Sequence, residues 1–521
     1  GTSNVAVGAW ALEANTTANN NTAVGYYALV NNTTGADNTA VGYLCLEDNT
    51  TGWHNTAIGA HCIVNNTTGY KNCAMGRSAL YLNTTGHSNT ALGNEALESN
   101  TTGIRNTAIG RYSLELNTTG NNNVGVGVSV LAANTTGNDQ TALGYRAMVS
   151  NTTGTRNVAL GYEVMRDNTT GDYNAAAGSQ ALVSNTTGSY NNAFGNGALA
   201  YNTTGGKNSA FGHQAMRGAS GSSTGINNSA FGGSALYANT SGSQNVGVGN
   251  SALYANTTGS SNNAFGFYAL ASATTASYNC AFGAWALDAV TTGTRNVAMG
   301  YAALSAATSN DNTAIGHEAA LALTTGYSNT AVGSYSLYTA TTDNQNTAIG
   351  FNALKVSTAD SSTAVGSKAL EANTSGAENC AVGCNALAAN TTGNNNTAVG
   401  TNALDAATTA NANTMIGMNA GTNLTTGADN TFVGYLAGED ATTAFNNTLI
   451  GNRAGLNLTT GHSNLVVGHY SSGDTLTTGQ QNIVIHGNVS AADITYEYVI
   501  GPIAGAGSQT FKAGGTNGAY N

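Results

Sequence analysis

Gly221-Ser222-Ser223-Thr224-Gly225 satisfies G-x-S-x-G, the spacing that sets a serine nucleophile on a sharp strand-to-helix turn. Such a serine needs a base and a group to orient that base, and no acid–histidine pair lies near this stretch. Gly125-Val126-Gly127 and Gly247-Val248-Gly249 lack the third glycine and the following helix of a dinucleotide site. The eight histidines are scattered without an H-x-x-x-H pair. His462 and His469 come closest, and they read as surface decoration rather than metal ligands. Calcium-loop spacings are absent as well. These residues predict no enzyme, no metal and no cofactor.

Six cysteines are too few to scaffold a 521-residue chain. Cys45 and Cys62 stand seventeen residues apart, and in stacked strands about 4.8 Å apart they could form a disulfide. Cys73, Cys280 and Cys380 read as small buried residues. The recurring Asn-Thr-Thr matches the N-glycosylation pattern, but turn chemistry already demands those residue types.

Only 7% of the residues are charged, against about a quarter in an ordinary domain. Amides and hydroxyls must therefore solvate the surface. A 41% hydrophobic share is too high for a disordered tract. A net charge of −11 with 14 Lys+Arg excludes a phosphate-backbone footprint, hence a nucleic-acid partner. No apolar run nears the ~20 residues that cross a bilayer, so no membrane insertion is expected.

What positions every side chain is a repeat. The glycine ending N-T-A-V-G falls at Gly8, Gly25, Gly42 and onward to Gly468, 28 times, almost always seventeen residues apart. One step is longer, Gly212 to Gly232, and two are shorter, Gly300 to Gly316 and Gly350 to Gly366. His486 stands where another anchor is due. Seventeen residues cannot hold a helical repeat. Thr and Val favour strand, and N-T-T-G is a turn. The expected fold is all-β: a parallel β-solenoid (β-roll) of about 28 seventeen-residue rungs spanning 1–486. Each rung should hold a short strand, a bend at the anchor, a second short strand carrying Ala-Leu, and the turn. Residues 487–521 are expected to form a degenerate C-terminal segment, with Tyr498-Val499-Ile500-Gly501 as a last strand and anchor.

Position by position, the repeat reveals an inside and an outside. Two before the anchor the residue is Ala or Gly from Ala6 to Ala398, and four after it Leu dominates (Leu12, Leu29, Leu46, Leu80, Leu404). Later rungs invert this: Met415, Phe432, Leu449 and Val466 accompany Gly421, Gly438, Gly455 and Ser472. Interiors conserve volume, so these two positions should face each other. The residue just before the anchor is apolar throughout (Val24, Ile58, Met75, Phe194, Ile349) and by strand alternation is expected to point the other way; the alternative is a Gly bend that turns both residues inward in a monomer. So long an outward apolar stripe requires a cover, and other copies of the chain are the expected one. Four before the anchor, Asn recurs and should form an amide ladder. Variable positions carry aromatics: Tyr26, Tyr27, Tyr112, Phe267, Tyr268 and Trp285 after the anchor, Trp53 and Tyr70 after the turn. We take these eight as candidate surface or glycan-binding residues.

N-T-A-V-G-x-x-A-L resembles the head repeat of trimeric autotransporter adhesins (YadA-like). Units such as N-T-F-V-G-Y-L-A-G (430–438) and N-T-L-I-G-N-R-A-G (447–455) look still more like the shaft repeats of bacteriophage tail fibres. The resemblance covers most of residues 4–486. It implies a homotrimeric fibre, extracellular, on a virion tail or a cell surface. Its function would be structural and adhesive, presenting a receptor-binding surface to glycans or a receptor on a target cell. The alternative it leaves is a bacterial adhesin head or extracellular filament subunit with multivalent glycan binding.

Overall fold

The computed structural model describes residues 1–219, 223–470, 472–473 and 476–485, together with the backbone of 498–500 and 511–512. The chain divides into two compact units, Gly1–Asn262 and Asn263–Asn521. Each is a parallel β-solenoid, with no helix among the described residues. None of these residues therefore belongs to a helix long and apolar enough to cross a membrane.

In the first unit, three-residue strands run from Val5–Val7 and Thr22–Val24 through to Val246–Val248. Each pairs in parallel with the next, one whole rung ahead, as in Val5↔Thr22, Ala6↔Ala23 and Val7↔Val24. The second unit repeats this from Asn263–Phe265 to Ile483–Ile485. Tyr498–Ile500 continues the parallel pairing and Phe511–Lys512 adds an antiparallel one. The long step after Gly212 does not disturb the ladder, since Ser209–Phe211 still pairs residue for residue with Ser229–Phe231. Of the expected features, His486, Gly501, and the Gly221 and Ser222 of G-x-S-x-G lie outside the described residues.

Strand alternation sorts the rung as expected: Ala23 is fully buried while Thr22 and Val24 on either side are half-exposed. It also corrects one expectation. Cys73 is exposed and Cys280 and Cys380 are half-exposed, not buried, because they occupy the outward strand position of Thr22.

The second strand does not form. The Ala-Leu stretch is a chain of turns in which Tyr27 (φ 59°) and Leu29 (φ 53°) are left-handed, as is Asp37 (φ 59°) before the ladder Asn. Left-handed residues cost roughly 1–2 kcal/mol each. They persist because each places its N–H on a neighbouring rung: Tyr27 on Ala9 O (3.1 Å), Leu29 on Cys45 O (3.0 Å), Asp37 on Asn19 O (3.0 Å). The anchor needs glycine for two reasons. Gly25 has φ +138°, and a Cβ there would strike the backbone of Gly42 in the next rung.

The interior fills as the volume argument predicts. Leu29, Leu80 and Met148 are fully buried, as are Met415, Phe432 and Leu449. A Cβ on Gly421 would lie 2.9 Å from Met415 Sδ, and one on Gly455 would lie 2.9 Å from Leu449 Cδ1. The large and small positions share one space.

Two amide ladders complete the rung. The expected one, four before the anchor, runs through backbone: Asn38 N–H donates to Asn21 Oδ1 at 2.9 Å and Asn38 Nδ2 to Gly52 O at 2.9 Å. A second ladder sits in N-T-T-G itself, where Asn49 Nδ2 donates to Asn32 Oδ1 (2.7 Å) and to Gly52 O (2.9 Å). Asn32 and Asn49 of this ladder are fully buried.

Candidate functional site

Three surface features carry the functional question: the outward stripe, the aromatic positions, and a few clustered polar groups. The stripe is exposed in both units. Met75 is 50% exposed and Phe211 37%, with Leu143, Phe231, Phe282, Met299 and Ile416 similar. Phe194, Phe211 and Phe231 stack at 4.9 and 5.0 Å with nearly parallel rings. At roughly 60 Å² per rung, fifteen rungs of the first unit display on the order of 900 Å² of apolar surface, above the few hundred a lone protein usually shows.

The eight candidate aromatics fall into separate groups. Tyr26 and Tyr27 meet at 4.4 Å, with Trp10 and Tyr43 joined to them at 6.1 and 5.6 Å. Trp53 stacks on Tyr70 at 5.0 Å, and Tyr70 on His87 at 4.4 Å. Both faces of Tyr70 are thus covered by neighbouring rungs, leaving its edge and hydroxyl outward. Lys71 Nζ stands 4.9 Å from the Trp53 ring centre. In the second unit Phe267 packs against Tyr268 (4.5 Å) and edge-to-face against Trp285 (5.5 Å), which meets Tyr301 in the same way. Tyr112 joins none of these groups; it lies under the Arg111 guanidinium at 4.9 Å. Trp10, Tyr43, His87 and Tyr301 were not among the candidates. Their signal was available, because Tyr43 follows Tyr26, and His87 follows Tyr70, by seventeen residues.

Cys45 and Cys62 are free, buried thiols. Cys45 Sγ donates to Ala57 O at 3.2 Å. Its hydrogen bond with Cys62 and its burial push its pKa far up, keeping it a thiol. His462 stacks on Phe445 at 4.5 Å and His469 meets Tyr470 edge-on at 5.8 Å, so the two rings serve different neighbours. Glu95, Glu98 and Glu115 bring carboxylates within 4.8 Å of one another. Partial burial, then mutual repulsion, raises Glu98 and Glu115 above the usual carboxylate range, and Arg77 at 3.8 Å from Glu95 relieves part of it.

Comparison of the chain with known protein families, curated proteins and solved structures found no match.

Proposed function

We propose that the chain is a structural and adhesive fibre protein: a homotrimeric extracellular shaft that holds or forms a receptor-binding surface for attachment to a target cell, as in a tail fibre. The observation that carries the reading is the uncharged apolar stripe repeated on every rung of each unit. A partner that covers it must match a one-rung period along its whole length, and another copy of the same chain does so by construction. Rigidity comes from the stacking, since each rung is bonded only to its neighbours. The reading assigns the chain no catalysis, cofactor, nucleic-acid contact or membrane insertion.

Sedimentation equilibrium of the purified chain tests it. A trimer is expected, and Phe231→Glu, which places a charge in the stripe, should shift the population toward monomer. A stable monomer with the stripe bare would overturn the reading, and a dimer would displace the trimer while keeping the argument for cover.

A second reading, an adhesin head or filament with multivalent glycan binding, is favoured by the exposed aromatic groups around Tyr26, Trp53 and Trp285. Weak sites repeated on several copies gain avidity without any strong single contact.

A further inference from the structure

Four successive rungs of the first unit, anchored at Gly161, Gly178, Gly195 and Gly212, carry a groove of about 300 Å³. Missing side chains create it. Two after the anchor these rungs hold Glu163, Gln180, Gly197 and Gln214, and Gly197 is the sole glycine at that position in the first unit. Five after the anchor they hold Arg166, Val183, Ala200 and Arg217, so small residues separate two arginines three rungs apart, about 14 Å along the stack. Gln180, Asn196 and Gln214 line the walls.

The two ends differ in charge. Arg166 is neutralised, bidentate on Asp167 at 2.8 and 2.7 Å and 3.6 Å from Glu163. Arg217 has no carboxylate partner among the described residues, and the undescribed residues that follow it, Ser220, Gly221 and Ser222, contain no acid. Two phenols hold it instead, Tyr237 Oη at 3.0 Å and Tyr201 Oη at 2.9 Å, with its guanidinium 4.6 Å from the Tyr201 ring. A guanidinium has five donors; two are spent here, and the group is fixed in place for an anion. The side-chain amides of Asn196 and Gln214 make no hydrogen bond among the described residues.

We propose that this groove binds a short acidic saccharide, with a single carboxylate on Arg217 and ring hydroxyls on the Asn196, Gln180 and Gln214 amides. Ligand pockets for apolar molecules are lined chiefly by hydrophobic side chains, whereas this lining is amides, guanidinium and phenol, which suits a polyhydroxylated ligand. The planar fork of Arg217 matches a carboxylate in two-point contact. Beyond the far end Arg146 and Arg166 are paired with Glu163 and Asp167, leaving no free cation for a second carboxylate, and the chain's net charge of −11 disfavours a polyanion. The inference deepens the attachment reading by naming a ligand class, yet its test is independent of oligomeric state, because the groove lies within one copy.

The test is ligand-observed NMR on the full chain with an aldobiouronic acid, a disaccharide carrying one carboxylate, and its methyl ester. The acid should bind with Kd on the order of 1 mM and the ester about tenfold more weakly. Gly197→Gln should abolish binding by filling the notch while the melting curve stays put. Gln180 and Gln214 already adopt φ 55° and 54° at the same position, and a Cβ on Gly197 meets only Gln214 Cγ at 3.5 Å. Arg217→Gln should bring acid and ester to equal affinity. Equal binding of acid and ester by the unaltered chain, binding indifferent to Gly197→Gln, or no binding of either ligand would overturn the proposal. A monomer in sedimentation would overturn the fibre reading and leave this result standing.

Discussion

The N-T-T-G asparagine separates the two units. In the first it is Asn at almost every rung, from Asn32 through Asn202, each fully or nearly fully buried and bonded amide to amide. In the second the same position holds Ala273, Val290, Leu323, Ala340, Leu424, Ala441 and Leu458, with only Asn373 and Asn390 paired. Where that short ladder ends, Asn390 Oδ1 has no hydrogen-bond partner. The other asparagine, four before the anchor, persists in both units, from Asn21 to Asn482 with Gln140 and Ser362 as exceptions. The difference shows which amide the backbone requires. Asn106 Oδ1 accepts the N–H of Asn123 at 3.0 Å, and no apolar side chain can take that donor. Asn100 bonds to Asn83 Oδ1 and to Gly103 O, and Gly103 O already accepts from Asn89. One ladder satisfies backbone; the other satisfies mainly itself.

The sharpest way to break the comparison lies where the second unit departs furthest, in the rungs with Phe432 and Gly438. Phe432→Ala should cost about 3–5 kcal/mol through the cavity it leaves. Gly438→Leu should be comparably harmful, since the added side chain enters space that Phe432 fills. The backbone is not the obstacle: Gly438 has φ +58°, and Leu29 occupies the same position at φ 53°. The double variant restores the Ala/Leu pair of the first unit and should recover most of the loss. Hydrogen exchange resolved over residues 410–460 measures this locally, which a global melt of a stacked array does not. Additive losses would show that the two positions do not share volume.

Next in size is the contrast between the two asparagines of one rung. Asn106→Leu orphans a buried N–H and should cost about 3 kcal/mol, while Asn100→Leu should cost about 1–2 kcal/mol. Converting Asn83, Asn100 and Asn117 together to Leu should cost less per site than Asn100→Leu alone, because both partners of the internal bonds then disappear. Hydrogen exchange of the flanking rungs gives the ranking. Equal costs would mean that the second unit survives its substitutions for some other reason.

Much of this was legible in the sequence, and the exceptions have physical causes. Period, strand and the inside–outside order follow from Thr22-Ala23-Val24 read with a two-residue alternation. The sharing of space by Met415 and Gly421 follows from volume alone. The second strand was misread because Leu29 in a left-handed conformation contradicts its intrinsic preference, and only rung-to-rung hydrogen bonds make it tolerable. The ladder through Asn32 and Asn49 was hidden because N-T-T-G is also a sound local turn, and its second partner exists only after stacking. Cys73 was misplaced although the alternation already put its position outside. The groove at Gly197 arises from an absent side chain, which motif reading does not look for.

Asp343 tests the comparison through pH. It replaces the glycine of the turn in a rung where Ala340, and Ser357 in the next, stand for asparagines. In the first unit a side chain on Gly52 would collide with the amide of Asn49; loss of the ladder makes room for a carboxylate. Asp343 is 1% exposed. Burial raises its pKa to about 6, only partly offset by the Ser357 hydroxyl and increased by the charge of Asp360. The folded chain then holds this proton more tightly than the unfolded chain, whose carboxyl titrates near 3.9. The contribution of Asp343 to the stability of this unit should be greatest below about pH 4, fall as pH rises to about 6, and stay flat above, losing about 3 kcal/mol. Asp343→Asn should remove that slope and stabilise the unit at neutral pH. A slope unchanged by Asp343→Asn in hydrogen exchange across pH 4–7 would sink the assignment.

The smallest effect concerns the outer surface, where one aromatic group of each unit offers a contrast. Trp53, Tyr70 and His87 stack in parallel, with 3° and 11° between planes, whereas Trp285 meets Phe267 and Tyr301 at 86°. In a parallel stack with one-rung spacing each ring covers its neighbour's face, so the central ring supports two contacts and offers no face to a ligand. Tyr70→Ala should therefore cost about 1 kcal/mol, both stacks together, shift Trp53 fluorescence toward that of a solvated indole, and leave adhesion unchanged. Trp285→Ala should cost no more in stability. If the attachment reading holds for the second unit, that substitution alone would weaken cell binding. Equal effects on adhesion from both substitutions would mean that ring geometry does not decide which aromatic is available.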